Sequence, residues 1–492
     1  MENNKKLQFL IIASLFLLLN LSSLVFHEMW RDELQAWLIA RDSKNILELF
    51  INLKYEGHPA LWYLLLTPLT KIFSPVSMQI LHLSIFLLAL YFFIFFSPFS
   101  FLQKLLFSIG IFSYEYSIIS RNYSLSILFL FIYASCFKKK YEKPIIISII
   151  LFFLSHTNIL GLIISISIFL TQIFDYFFFS TTSINKIFLK KFLLGLCISF
   201  LGILTSTAQV IPFSDATYTQ GWNFNLDFKL LEIINKVLVN AFLPPPQHIL
   251  INTFVVFLEN YYIFLIIIIF ILYIFIKNII SPNIIIFFCV SLGGLIIFFY
   301  TKFLGDTRHH GLIWIIFIIS YWLSYKNDLD HIHILRNIRV KFSTIFTLLL
   351  IYHSLASIGP RINDYKKPYS NAKLAAEFIK LNNLKDKIII GHPNNYLASI
   401  RGYLDNKAFF NIEKNRFETY FRYDAIASNT KKNIFESIKN HPFFENKQFI
   451  LITNYPLTDL NLSSFKLSNI AEFTGAIRGD ENFYIYMSLP NK

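Results

Sequence analysis

Charge is scarce in this chain. Only 15% of its 492 residues are Asp, Glu, Lys or Arg, against about 25% in ordinary soluble domains, and that shortage excludes a wholly soluble fold. Cysteine is scarcer still. Cys136, Cys197 and Cys289 all lie inside apolar runs and lack metal-ligand spacing, so neither a disulfide framework nor a cysteine metal site is implied. Glycine numbers only 15, and the C-terminal tail contains no Gly-rich phosphate loop. There is no internal repeat of the kind that marks many secondary transporters. The apolar runs carry almost no charge near their middles, which counts against a transport pathway for ions or head groups.

What the chain has instead is apolar length. Hydrophobic residues make up 55% and the mean hydropathy is +0.53, with many runs near the roughly 20 residues that span a bilayer. The spacing predicts about eleven membrane helices, over roughly 7–26, 77–97, 101–118, 121–137, 143–156, 158–179, 189–212, 251–277, 283–301, 310–325 and 342–360. The first run is long for a signal peptide and lacks a small-x-small cleavage site, so it reads as a spanning helix. Segment 61–73, punctuated by Pro59, Pro68 and Pro75, reads as juxtamembrane or re-entrant.

The net charge of +14 does not point to nucleic acid, because the lysines and arginines fall in short loops between apolar runs. Lys5, Lys6, Lys104, Lys138–Lys140, Lys143, Lys186, Lys190, Lys191, Lys277, Lys326, Arg336, Arg339 and Lys341 then share one side. By the positive-inside rule that side is cytoplasmic, and the N-terminus lies there. The opposite side receives loops 27–76 and 212–250 and the tail 361–492. In the tail, Asn371–Leu381 reads as an amphipathic helix, and 387–391, 448–453 and 483–487 read as strands. Residues 1–360 therefore form a helical membrane domain, and 361–492 a small extracytoplasmic α/β domain.

Ionisable residues gather on the outer side. His27-Glu28-Met29-Trp30-Arg31-Asp32-Glu33 follows the first helix, and Glu56-Gly57-His58-Pro59 precedes an aromatic segment. Glu115, Arg121 and Tyr123 flank the next outer turn, His156 sits at the one after, Trp222 lies in loop 212–250, and Arg308, His309 and His310 open the tenth helix. Each has an ordinary reading: an interfacial anchor, a snorkelling arginine, a polar turn. The His309-His310 pair is not a metal site by spacing, since neighbouring helical positions diverge. Arginine suits phosphate through bidentate hydrogen bonds.

Arg31-Asp32-Glu33 followed by Glu56-Gly57-His58-Pro59 resembles the first outer loop of GT-C glycosyltransferases. It is most similar to the branch of protein O-mannosyltransferases and lipid A aminoarabinose transferases. The motif covers about residues 27–65, and the architecture the whole chain. The resemblance implies an inverting transfer of a sugar from a polyprenyl-phosphate carrier to a glycan, lipid or protein acceptor. It implies Asp32 as catalytic carboxylate and general base, with Glu33 its neighbour. Arg31, Glu56, His58, Glu115, Arg121, Tyr123, His156, Trp222, Arg308, His309 and His310 are then expected to line the substrates, with no metal or other cofactor required. Heavy use of Asn, Lys and Ile points to a bacterial inner membrane. The competing readings are an O-antigen ligase or polymerase, a flippase for lipid-linked sugars, and a purely structural membrane protein.

Overall fold

The computed structural model describes residues 2–179, 186–217, 221–245, 262–279, 281–325, 333–405, 407–424, 438, 441, 444, 447–458 and 467–488. Side chains are described for the same residues except 2, 178–179, 186–188 and 333–341. The first part of the expected span 251–277 lies outside the described residues, as do the side chains of Lys186, Lys326, Arg336, Arg339 and Lys341.

The described chain is mostly helical up to Lys366, with a small sheet beyond it. In order come α1 (Glu2–Phe26), α2 (Arg31–Asp42), α3 (Ile46–Leu53), α4 (Leu61–Ile72), α5 (Val76–Phe96), α6 (Phe101–Ile109), α7 (Ile111–Ile118) and α8 (Tyr123–Cys136). Then follow α9 (Pro144–Ser155), α10 (Ile159–Phe179), α11 (Lys186–Val210), α12 (Lys229–Phe242), α13 (Tyr262–Asn278), α14 (Pro282–Thr301), α15 (Thr307–Ser324), α16 (His333–Ala356) and α17 (Ile358–Lys366).

Among the described residues, six helices are long and apolar enough to cross a membrane, and a seventh span arises if α7 and α8 count as one broken by a 119° bend. Helices α4, α9 and α13 are apolar but shorter. The run 101–118, expected as one helix, is split at Gly110, where the backbone is extended and α7 restarts. The expected 121–137 helix starts at Tyr123, after the turn through Ser120 and Arg121. The second break leaves the Ser120 N–H to a side-chain carboxylate, that of Glu33.

The C-terminal sheet has order β3-β2-β1-β4-β6-β5, with β1 (Ile388–His392), β2 (Phe409–Asn411), β3 (Arg416–Glu418), β4 (Phe449–Thr453), β5 (Leu467–Phe473) and β6 (Phe483–Ser488). Strand β1 runs parallel to β2 and β4, with Ile390 level with Phe410 and Leu451, and the remaining pairs are antiparallel. Ile389, Ile450, Ile452, Phe483 and Ile485 pack with α18 (Ala372–Leu381) and α19 (Ala398–Tyr403), whereas Ile390, Phe410, Leu451 and Tyr486 form a core on the other face. Burial on both faces is why β1 and β4 read as unbroken apolar runs rather than alternating ones.

The sheet domain is seated on α2. A Cβ at Gly402 in α19 would lie 2.8 Å from Cβ of Leu34, so only glycine permits this approach. The backbone N–H of Met29 donates to the Tyr403 hydroxyl at 2.8 Å, and Arg422 donates to Asn52 at 2.7 Å.

Candidate functional site

Helix α2 starts at Arg31, and its N-terminus is built by two buried carboxylates. One is Glu33, 0% exposed. Its Oε2 accepts from the Trp30 N–H at 3.2 Å and bonds His27 at 3.1 Å, while its Oε1 accepts from the Ser120 N–H at 2.6 Å. Half of a capping box is thereby made, since the third residue of the helix satisfies the N–H of the residue before it. The other is Glu481 of the sheet domain. Its Oε1 accepts from the Arg31 N–H at 3.3 Å, and its Oε2 accepts from the hydroxyls of Ser370 and Ser399, both at 2.7 Å.

Sequence placed Glu33 beside Asp32 in the chemistry, and the structure corrects this. Glu33 faces inward with both oxygens engaged, so it positions the helix, and it lines neither of the two polar cavities beside Asp32. Burial lowers the pKa of His27, but Glu33 and Asp364 outweigh it and push the imidazole up to about 10. His27 is therefore a cation between two carboxylates, 3.1 Å from Glu33 and 3.4 Å from Asp364.

Asp32 faces outward and its side chain is 35% exposed. Burial pushes its carboxyl up, but the guanidinium groups of Arg121, Arg308, Arg31 and Arg478 more than offset this and hold it below the usual carboxylate range. Arg31 lies 3.7 Å away and Arg308 3.9 Å, and Arg121 donates to the Asp32 backbone carbonyl. Arg121 also donates to Nε2 of His58 at 3.2 Å. Burial, then Arg121, pushes His58 down to about 3, so its ring is neutral. Burial raises Glu56 to about 7, opposed by its hydrogen bond from Gln35 at 2.8 Å and by Arg121.

Asp32, Glu56, His58, Arg31 and Arg121 line one cavity of about 210 Å³, together with Gln35, Tyr55, Asn395 and Tyr423. A second cavity of about 230 Å³ is lined by Glu115, Asp306, Arg308, Asp364 and Arg478, among others. Arg308 of the second cavity lies 3.9 Å from Asp32 of the first. Arg308 is held by its backbone carbonyl, which accepts from the Tyr116 hydroxyl, and α15 can come this close to α7 because residue 311 is glycine: a Cβ there would lie 2.4 Å from the Phe112 ring.

Other expected residues are placed elsewhere. His310 is fully buried, bonding the Leu304 carbonyl at 2.7 Å and Asn240 at 3.3 Å. His309 accepts from the Asp306 N–H at 2.9 Å and packs edge-on to Tyr123 and Phe303, which makes it a cap for α15. His156 bonds the Phe152 carbonyl and Thr205 and lines neither cavity. Trp222 is 51% exposed, stacked on Phe224 under Lys302, also away from both. Tyr123 lines neither cavity, although it lies close enough to hydrogen-bond Arg121. Sequence reasoning missed Arg478, Asp480, Tyr423 and Asn395, all from the tail, where nothing in spacing or composition ties them to loop 27–76.

Among the described residues no three His, Cys, Asp or Glu side chains gather as a metal-ligand set. Comparison with protein-family models, with curated proteins and with solved structures finds no match.

Proposed function

We propose that this chain is a membrane glycosyltransferase of the GT-C kind, moving a sugar from a polyprenyl-phosphate carrier to a hydroxyl or amine of a glycan, lipid or protein acceptor. The observation that carries the reading is Asp32, an ionised and partly exposed carboxylate that lines one polar cavity, lies 3.9 Å from the Arg308 of a second, and is surrounded by four guanidinium groups.

In the proposed reaction Asp32 takes the proton of the acceptor. The acceptor oxygen or nitrogen attacks the anomeric carbon, and the bond from that carbon to the phosphate oxygen breaks. The bonding pair leaves with the carrier phosphate, which passes from a singly charged diester to a monoester with one more negative charge. Arg308 and Arg121, both in contact with Asp32, are the cations assigned to meet that charge. Tyr55, Tyr423, Gln35 and Asn395 offer the mix of rings and amides that suits sugar hydroxyls.

The proposed setting is a bacterial inner membrane. About eleven crossings follow if α1, α5, α6 with α7, α8, α9, α10, α11, α13, α14, α15 and α16 each count once. The two cavities then lie on the periplasmic side with the sheet domain. Lys5, Lys104 and the Lys140–Asp175–Asn283 cluster take the cytoplasmic side, in keeping with the charge rule.

The test is sugar release from radiolabelled polyprenyl-phosphate sugars in membranes carrying wild-type or Asp32→Asn protein. Transfer by wild type that is lost in Asp32→Asn, with insertion unchanged, supports the reading. Equal transfer by both moves the base to Glu56. Absence of transfer across a panel of donors overturns the class.

A further inference from the structure

The chemistry around Asp32 leaves the second cavity unexplained. Its notable cation is Arg308, 7% exposed, whose Nη1 has no hydrogen-bond partner among the described residues. Asn363 Nδ2 on the same wall is likewise without one. Arg478, from the sheet domain, also lines the cavity.

The two arginines are held against one indole: the guanidinium carbons of Arg308 and Arg478 lie 4.8 and 4.3 Å from the Trp30 ring centre. Cation–π contact of this kind orients a guanidinium without using its N–H donors. Both arginines also reach for one carboxylate, Asp306, at 4.0 and 3.6 Å. Charge-assisted hydrogen bonds are shorter, about 2.7–2.9 Å, and the Asp306 side chain is 51% exposed. Of the other acids in the cavity, Asp364 is engaged by the Tyr114 hydroxyl and His27, and Glu115 lines the far wall. Arg478 also lies 3.7 Å from Asp480, and Oδ1 of Asp306 accepts from the Thr307 N–H at 2.8 Å as the cap of α15. Arg308 therefore has a donor to spare, and both arginines meet only the other Asp306 oxygen, at long range.

We propose that this cavity is the phosphate site of the lipid-linked donor, that the C-terminal domain completes it through Arg478, and that the Asp306 carboxylate holds the place of the phosphate until the donor arrives. The proposal rests on the glycosyltransferase reading and gives the sheet domain a share in donor binding. A phosphate entering between Arg308 and Arg478 replaces their long contacts to Oδ2 of Asp306, whose Oδ1 stays on the Thr307 N–H, and takes up the Arg308 Nη1 and Asn363 donors. It comes to lie beside Asp32, which Arg308 also contacts.

Binding is measured on the full-length protein in detergent, with three probes: polyprenyl monophosphate, the corresponding polyprenol, and inorganic phosphate. Wild type is expected to prefer the phosphate lipid to the alcohol. Arg478→Ala should weaken the phosphate lipid by about tenfold or more, the effect of losing one charge-assisted contact, and leave polyprenol unchanged. Arg478→Lys should fall between. Asp306→Asn should bind the phosphate lipid more tightly than wild type, a gain that misfolding cannot produce. If wild type prefers the phosphate lipid but neither Arg478→Ala nor Asp306→Asn alters that preference, the proposal is overturned and the donor reading survives. If phosphate binding depends on Arg478 yet gains nothing from the polyprenyl chain, the anion site stands and the lipid-donor reading falls. If wild type does not distinguish phosphate from alcohol, both fall.

Discussion

Oδ2 of Asp32 lies 3.9 Å from Nη2 of Arg308, and at that contact the carboxylate of one cavity meets the guanidinium of the other. A pair in these places can couple proton removal at the acceptor to charge growth on the leaving phosphate. It also sets the acid limit of the reaction. Asp32 must be ionised to accept a proton, and its lowered pKa keeps it so until the pH falls through that value. Arg308→Ala removes one of the four cations that hold the pKa down. The acid limb of the kcat profile should therefore move to higher pH, and kcat at neutral pH should fall by roughly 10²–10³-fold, as for loss of one oriented donor at a developing anion. A pH–rate profile of the variant checks both, and an unmoved acid limb would remove Asp32 as the titrating base.

Glu33 makes a contrasting prediction, because both its oxygens are engaged within the protein. Glu33→Gln puts an amide where the Ser120 and Trp30 N–H groups and His27 all call for an acceptor. It also leaves the charged His27 with Asp364 alone. Breaking a buried pair of this kind costs about 3–5 kcal/mol. Thermal unfolding in detergent should show a large loss for Glu33→Gln, whereas Asp32→Asn should unfold near the wild-type temperature. Equal stability for Glu33→Gln and wild type would return Glu33 to the list of chemical residues.

Glu481 ties the sheet domain to α2, and its tie depends on pH. Burial raises its carboxyl from the ordinary 4.5 to about 7, against the pull of Ser370, Ser399 and Arg31. Below 4.5 the folded and unfolded chains both hold the proton. Between 4.5 and 7 the folded protein keeps a proton that the unfolded chain has released, so stability falls as pH rises through this window, and above it the loss is complete. Glu481→Gln carries no such charge. Its stability relative to wild type should rise from pH 5 to pH 8, by on the order of 1–3 kcal/mol. Paired unfolding curves at the two pH values decide it; a constant difference would mean that Glu481 is ionised throughout.

Much of this architecture is legible in the residues, and the exceptions have physical reasons. The strands at 388–392, 449–453 and 483–488 announce themselves as apolar runs because both faces of the sheet are covered. Strands β2 and β3 are three residues each, and β5 alternates polar residues at its edge, so none produces a run. The break at Gly110 is hidden because apolar residues continue on both sides of it. Asp32, Glu56, His58, Arg121 and Arg308 stand out as charges at the ends of apolar segments, and the structure gathers them. Glu33 looks equivalent to Asp32 in the sequence, and only the turn of α2 sends the two in different directions. Arg478 sits in a stretch of glycines and small residues some 170 positions beyond Arg308. Its place over Trp30 depends on how the sheet domain seats on α2, and that is a tertiary fact.

That seating can be tested directly. At the contact of α19 with α2, a side chain at position 402 would meet the Leu34 side chain at 2.8–2.9 Å from its Cβ, Cδ2 and Cδ1. The Cβ of Leu34 is fixed to its backbone, so the conflict cannot be relieved by rotating the leucine alone. Gly402→Val should therefore lift α19 from α2, loosening Glu481 from the Arg31 N–H and Arg478 from Trp30, with activity falling while the helical part stays folded. Overpacking of this sort costs typically about 1–3 kcal/mol. Leu34→Ala removes two of the three clashing atoms and opens room for the valine. Because the Leu34 Cβ remains, the double variant Gly402→Val/Leu34→Ala should recover only part of the activity that Gly402→Val loses, a coupling that a double-mutant cycle reads as non-additivity. Unchanged activity in Gly402→Val would mean that the sheet domain can shift on α2 without consequence for the site, and Arg478 would then have no fixed place over Trp30 from which to bind a phosphate.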